Sequence, residues 1–133
     1  MLVEKLFLDN LLCIDKLHYR EVKILNELYE VILKKDIEQI DANLDRLVED
    51  VQLHFEGEER KMFEYNYPDA NMHQFVHGSA LSRLQDAQWV WQKNKNVEVL
   101  KNYIEKVFTP WFNAHIKTMD MTACDYIVSK NWK

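Results

Sequence analysis

The chain has 133 residues, of which 47% are hydrophobic and 29% charged, and it carries a formal net charge of −5. That length suits one domain over residues 1–133 with a real apolar core. With only two glycines and two prolines, sheets joined by tight turns are nearly excluded, and helices with short polar connections remain. The acidic balance argues against nucleic acid as a partner, because phosphates call for a basic face.

The N-terminal residues 1–14 are apolar, but Glu4, Lys5 and Asp9 interrupt them. No small-residue cleavage site follows, so they make a poor signal peptide. No run approaches the ~20 apolar residues of a membrane span, and the expectation is a soluble cytoplasmic protein. Cys13 and Cys124 are the only cysteines. They lack a CxxC pairing and are expected to be reduced, buried small hydrophobes.

Apolar positions recur at helical spacing in four segments. The first, roughly 15–34, carries His18, Val22, Leu25, Leu28, Tyr29 and Ile32, with Asp15 as its N-cap. After Lys34 and Lys35, Asp36 with Gln39 three residues on forms a capping box. It opens a stripe of Ile37, Ile40, Leu44, Leu47, Val51, His54, Glu58 and Met62. Asn66, Tyr67, Pro68 and Asp69 break the pattern, with Asp69 the next cap. The third stripe is His73, His77, Ala80, Leu81, Leu84, Ala87 and Trp91, ended by the polar residues 93–96. The fourth is Leu100, Ile104, Val107, Phe108, Trp111 and His115, with Pro110 expected to kink it. The fold class predicted is all-α, an up-down-up-down four-helix bundle.

All five histidines fall on these apolar stripes. His54 with Glu58, and His73 with His77, are four residues apart, so each pair shares one helix face. His18 is near the start of the first helix, His54 and Glu58 toward the end of the second, His73 and His77 at the start of the third, and His115 near the end of the fourth. In an antiparallel bundle those ends meet at one pole. Chance placement would bury several unpaired polar groups at roughly 1–3 kcal/mol each, a penalty that metal coordination removes. Asp120 lies five residues beyond His115, about 140° away on an ideal helix. It would join the cluster if the helix stops near 117–119 and a turn swings it inward. Otherwise it caps a C-terminal turn.

Seven donors are too many for one ordinary ion. Imidazoles mixed with carboxylates suit iron, and less well manganese or copper. Two octahedral ions bridged by Glu58, Asp120 and an oxo or hydroxo group would retain one vacancy, suited to a small diatomic ligand.

The pattern His18, His54-x3-Glu58, His73-x3-His77, His115-x4-Asp120 resembles the hemerythrins, particularly single-domain bacterial ones, over about residues 14–120. The resemblance includes Ile14-Asp15, Phe55, Glu59, Tyr67-Pro68 and Ile116. It implies a non-haem di-iron centre that binds O2, with His73, His77 and His115 on one iron, His18 and His54 on the other, and Glu58 and Asp120 bridging. Phe55, Trp111, Phe112 and Ile116 would wall the ligand pocket, or would simply be core. Leu17, Ala123 and Phe7 stand where the family often has Gln, Tyr and Trp respectively. Gly57 and Gly78 beside the ligands suggest either close backbone approach or a loosened helix end.

The function this implies is reversible O2 binding for storage, delivery or scavenging, rather than enzymatic turnover. The alternatives are an O2 or redox sensor working through a separate protein partner, and a peroxidase-like defence against oxidants. The exposed aromatics expected at Trp89 and Trp132 could serve such a partner.

Overall fold

The structure, a computed structural model, describes the backbone of residues 16–131 and the side chains of residues 19–130. Phe7, Cys13, Ile14, the expected cap Asp15 and Trp132 lie outside the described residues, as do the side chains of Leu17 and His18.

Helix α1 (Lys16–Leu33) buries Ile24, Leu25, Leu28 and Ile32, one stripe at helical spacing. The connection to α2 (Ile37–Glu64) is three residues, closed by Lys35 in the left-handed region at φ 56. Asp36 caps α2 as expected, its Oδ1 accepting the Gln39 N–H at 3.2 Å. Ile37, assigned to the buried stripe on spacing, is instead exposed beside that cap. Asn66, also left-handed at φ 55, turns the chain into α3 (Ala70–Asn94). Asp69 stands at the N-cap position but its side chain caps nothing; its carbonyl accepts the His73 N–H at 2.9 Å.

Lys95 and Asn96 then reverse the chain into a fourth arm over residues 97–131. This arm is a run of α4 (Val97–Tyr103), a first π turn (Ile104–Phe108), α5 (Thr109–His115), a second π turn (Ile116–Asp120) and α6 (Met121–Asn131). The π turns amend two expectations. Pro110 lacks an N–H, and its ring would clash with the carbonyl four residues back. The helix accommodates it by widening, so that the Thr109 N–H reaches back five residues to the Ile104 carbonyl. The chain also does not stop near 117–119. The Met121 N–H bonds the Ile116 carbonyl, and the helix runs on into α6. Of the neighbouring pair Val107 and Phe108 on the fourth stripe, Phe108 is buried and Val107 is exposed.

Short connections between helices that pack in sequence force antiparallel neighbours, giving the four-helix bundle. One core runs the length of it, from Ile40 and Trp91 through Leu47, Leu84 and Ile104 to Phe55, Phe112 and Ile116. A smaller cluster of Met62, Tyr67, Ala70 and Ala123 pins α6 against the α2–α3 corner, and Tyr126 Oη donates to the Asn66 carbonyl at 3.3 Å. That corner belongs to the same pole as the histidines. Cys124 is disulfide-bonded, contrary to the expectation of a reduced thiol. Distance along a sequence says nothing of distance in the fold. Among the described residues, no helix is long and apolar enough to cross a membrane.

Candidate metal centre

The pole of the bundle where α2 ends and α3 begins gathers donors from three directions. Helix α2 contributes His54 and Glu58 one turn apart, α3 contributes His73 and His77 one turn apart, and the fourth arm contributes His115 and Asp120. Four of these, His54, His73, His77 and His115, are imidazoles almost wholly removed from solvent. Glu58, His73, His77, His115 and Asp120 each place one donor atom within 4.8 Å of the others.

The distances are those of a convergent cluster. His115 Nε2 lies 3.0 Å from both His73 Nε2 and His77 Nε2. Asp120 Oδ1 is 3.0 Å from His73 Nε2 and 2.9 Å from His115 Nε2. Glu58 spans two groups: its Oε1 is 3.1 Å from His77 Nε2 and 3.4 Å from His73 Nε2, while its Oε2 is 3.0 Å from His54 Nε2. His54 lies outside the five-donor group and is joined to it through Glu58.

Neutral imidazoles meeting nitrogen to nitrogen pair at best one N–H with one lone pair, so three converging rings keep lone pairs over. A cation among the converging atoms would take up those lone pairs and the carboxylate charge, so the donor set fits a metal. Imidazole with carboxylate and no thiolate suits iron.

Electrostatics at the cluster oppose burial. Desolvation pulls the His54 imidazole down, but the charge and hydrogen bond of Glu21, with help from Glu58, lift it to about 10. Desolvation likewise opposes charge on His73, yet Asp120 and Glu58 raise it to about 9. These are the properties of the metal-free pocket, in which protons stand where a cation would.

Two acids complete the cluster, Glu21, which the sequence pattern did not single out, and Glu59, which it singled out without a role. Glu21 on α1, 1% exposed, meets His54 Nδ1 through its Oε2. Glu59 on α2 meets His77 Nδ1 at 2.8 Å through its Oε2. A charged residue beside a stripe reads as solvent-facing, and the one signal for Glu21 was its place three residues after His18 on the same helix face.

Among the expected pocket walls, Phe55 stacks flat on the His77 ring at 3.9 Å and 4°, and Trp111 on the His115 ring at 4.6 Å and 17°. The two rings meet edge to face at 6.1 Å. Phe112 and Ile116 are buried in the main core, with Phe112 stacked on Phe108 at 5.9 Å. Trp111 also lines a surface groove of about 250 Å3 that runs past Phe75, Ala80 and Val107. Gly57 and Gly78 sit within helices, and a Cβ on either would meet nothing within 4 Å, so close backbone approach does not account for them.

The family model described as the hemerythrin HHE cation binding domain matches residues 14–125. A bacteriohemerythrin from Aquifex aeolicus (strain VF5) is 32% identical over 116 residues, covering 87% of this chain and 88% of the relative.

Proposed function

The chain belongs to the hemerythrin family, and from that premise we propose that it binds O2 reversibly at two non-haem irons held in the histidine pole. The reading rests above all on Glu58, a single carboxylate whose two oxygens face different sets of imidazoles. His73, His77 and His115 would hold one iron, and His54 with His18 the other. Glu58 and Asp120 would lie between them.

Bound iron would supply the reducing equivalents and the open position that a diatomic ligand needs. The chain supplies the rest. Helices α2 and α3 each present two groups one turn apart, so the donors are fixed before any ion arrives, at little further ordering cost. Phe55 and Trp111, flat against two of the imidazoles, keep bulk water from the donor atoms. A dry pocket disfavours charge separation, and with it the loss of a reduced oxygen species. The function is therefore read as carriage or storage of O2 rather than turnover.

Reconstitution of the protein with ferrous iron under anaerobic conditions tests this. The expected result is close to two irons per chain, with a visible absorption band that appears in air and fades on degassing over several cycles. A band that never reverses, with all iron left oxidised after the first exposure, would overturn the carrier reading.

A further inference from the structure

Among the described residues, the donors of the cluster fall into two groups. Five donors, Glu58, His73, His77, His115 and Asp120, already converge within 4.8 Å of one another. His54 stands apart from that group. Its Nε2 faces Glu58 Oε2 at 3.0 Å, and its Nδ1 faces Glu21 Oε2. With Nδ1–H donating to Glu21, the lone pair of the neutral ring is placed on Nε2 and aimed at the cluster. Glu21 comes from α1, a different helix, so this tautomer depends on the register of α1 against α2. That register has its own tie, since Arg20 Nη2 bonds Asp50 Oδ1 at 2.8 Å, one turn before His54 on α2.

His77 has the comparable partner Glu59, but with a different setting. The Glu59 side chain is 16% exposed against 1% for Glu21. It comes from α2, whose His54 and Glu58 lie in the same cluster, and Gln74 Nε2 donates to its second oxygen at 3.3 Å. A solvated, shared acid is replaceable by water. A sealed one is not, and its removal would leave a buried ring N–H without an acceptor.

We infer that the centre loads in sequence: a first ion enters the five-donor group, and a second, taken up at His54, depends on Glu21 to position that ring. Glu21 is thus a positioning residue for the second ion alone. The inference rests on the two-ion reading above and deepens it. Partners that orient a ligating histidine are typically worth about 10- to 100-fold in metal affinity, and here that factor falls on one of two steps.

The test is a titration of the metal-free full chain with Co(II) under anaerobic conditions, followed by its visible absorption and by calorimetry. The wild-type chain is expected to take two ions in resolved tight and weaker steps. Glu21→Leu should leave the first step within about twofold and weaken the second by about 10-fold or more. Glu21→Gln, which keeps an acceptor for Nδ1–H, should recover most of that loss. Glu59→Leu should leave the second step in place. A purely structural role for Glu21 would instead weaken both steps together, with no rescue by Gln, and would overturn the inference.

Two outcomes separate this inference from its premise. If the wild type binds only one ion per chain, the two-ion reading fails. If it binds two and Glu21→Leu leaves the second step unchanged, only the present inference fails. Should Glu21→Leu not fold, the 15N shifts of the His54 ring in the metal-free wild type and in Glu21→Gln, read above pH ~10 where the ring has released its second proton, decide. A ring held as the Nδ1–H tautomer in the wild type supports the inference, and tautomer averaging there overturns it.

Discussion

His115 and Asp120 are five residues apart, yet His115 Nε2 and Asp120 Oδ1 lie 2.9 Å from one another. An α-helix would set them about 140° apart. The second π turn, Ile116–Asp120, accommodates one extra residue within a continuous helix and restores the shared face. The bulge is therefore what brings a carboxylate to the cluster, and local unwinding of that kind is frequent at functional sites.

Inserting one alanine between Thr118 and Met119 should rotate Asp120 off the cluster by about 100°. Deleting Thr118, which is exposed, should convert the π turn to an ordinary α turn with the acid four residues from His115, on the same face. Metal titration is expected to show at least a tenfold loss of affinity for the insertion and near-normal binding for the deletion. Equal damage from both would show that the bulge itself, rather than the facing of the two side chains, is what binding needs.

Much of this fold was legible because helix periodicity is a property of neighbours in the sequence. The stripes Leu25–Leu28–Ile32 and Leu44–Leu47–Val51, the Asp36 cap and the shared faces of His54 with Glu58 and His73 with His77 all follow from spacing alone. The π turns broke that reading because a fixed period cannot register one extra residue. Asp120 therefore looked as though it needed a helix end. The roles of Glu21 and Glu59 were not legible for a different reason. An acid is assigned to solvent unless its partner is known, and their partners are remote in sequence, Glu21 with His54 and Glu59 with His77. The bonding of Cys124 was hidden by the same blindness to distance in space.

The aromatic plates give a second prediction. Phe55 is buried and stacked on His77, so Phe55→Ala should cost about 3–5 kcal/mol in urea unfolding. Trp111 is only partly buried, with one face on His115 and its edge in the surface groove. Trp111→Ala should cost less stability but open the groove to the cluster. Air oxidation of the reduced, iron-loaded protein is then expected to quicken several-fold by stopped-flow absorption, with Trp111→Phe close to wild type. An unchanged oxidation rate in Trp111→Ala would remove Trp111 from the pocket wall.

The glycines give a third. Neither Gly57 nor Gly78 adopts a positive φ, and a Cβ on either meets nothing within 4 Å. Among the described residues, the left-handed positions outside glycine, Lys35, Asn66 and Lys95, occur in the connections instead. Each Gly→Ala change should therefore stabilise the metal-free protein by up to about 1 kcal/mol through helix propensity. Both should leave the number of bound ions unchanged. A loss of stability at either site would mean that the helix must deform there.

Proton linkage gives the last. In the metal-free protein the folded state holds His54 at about 10 and His73 at about 9, because their carboxylate partners outweigh the desolvation that opposes charge. An unfolded histidine titrates near 6.5, so above that pH the folded chain retains protons that the unfolded one has released. Their contribution to stability is complete below about 6.5, declines as pH rises, and is gone once it has passed through about 9 and 10. The melting temperature of the metal-free protein should accordingly fall between pH 7 and pH 10. A bound cation displaces these protons and takes over their role against the carboxylates. The loaded protein is therefore expected to hold its melting temperature across the same window, and metal affinity to rise with pH through it. Thermal melts of both forms at matched ionic strength check the pair, and parallel slopes would show that these histidines are not where protons and metal compete.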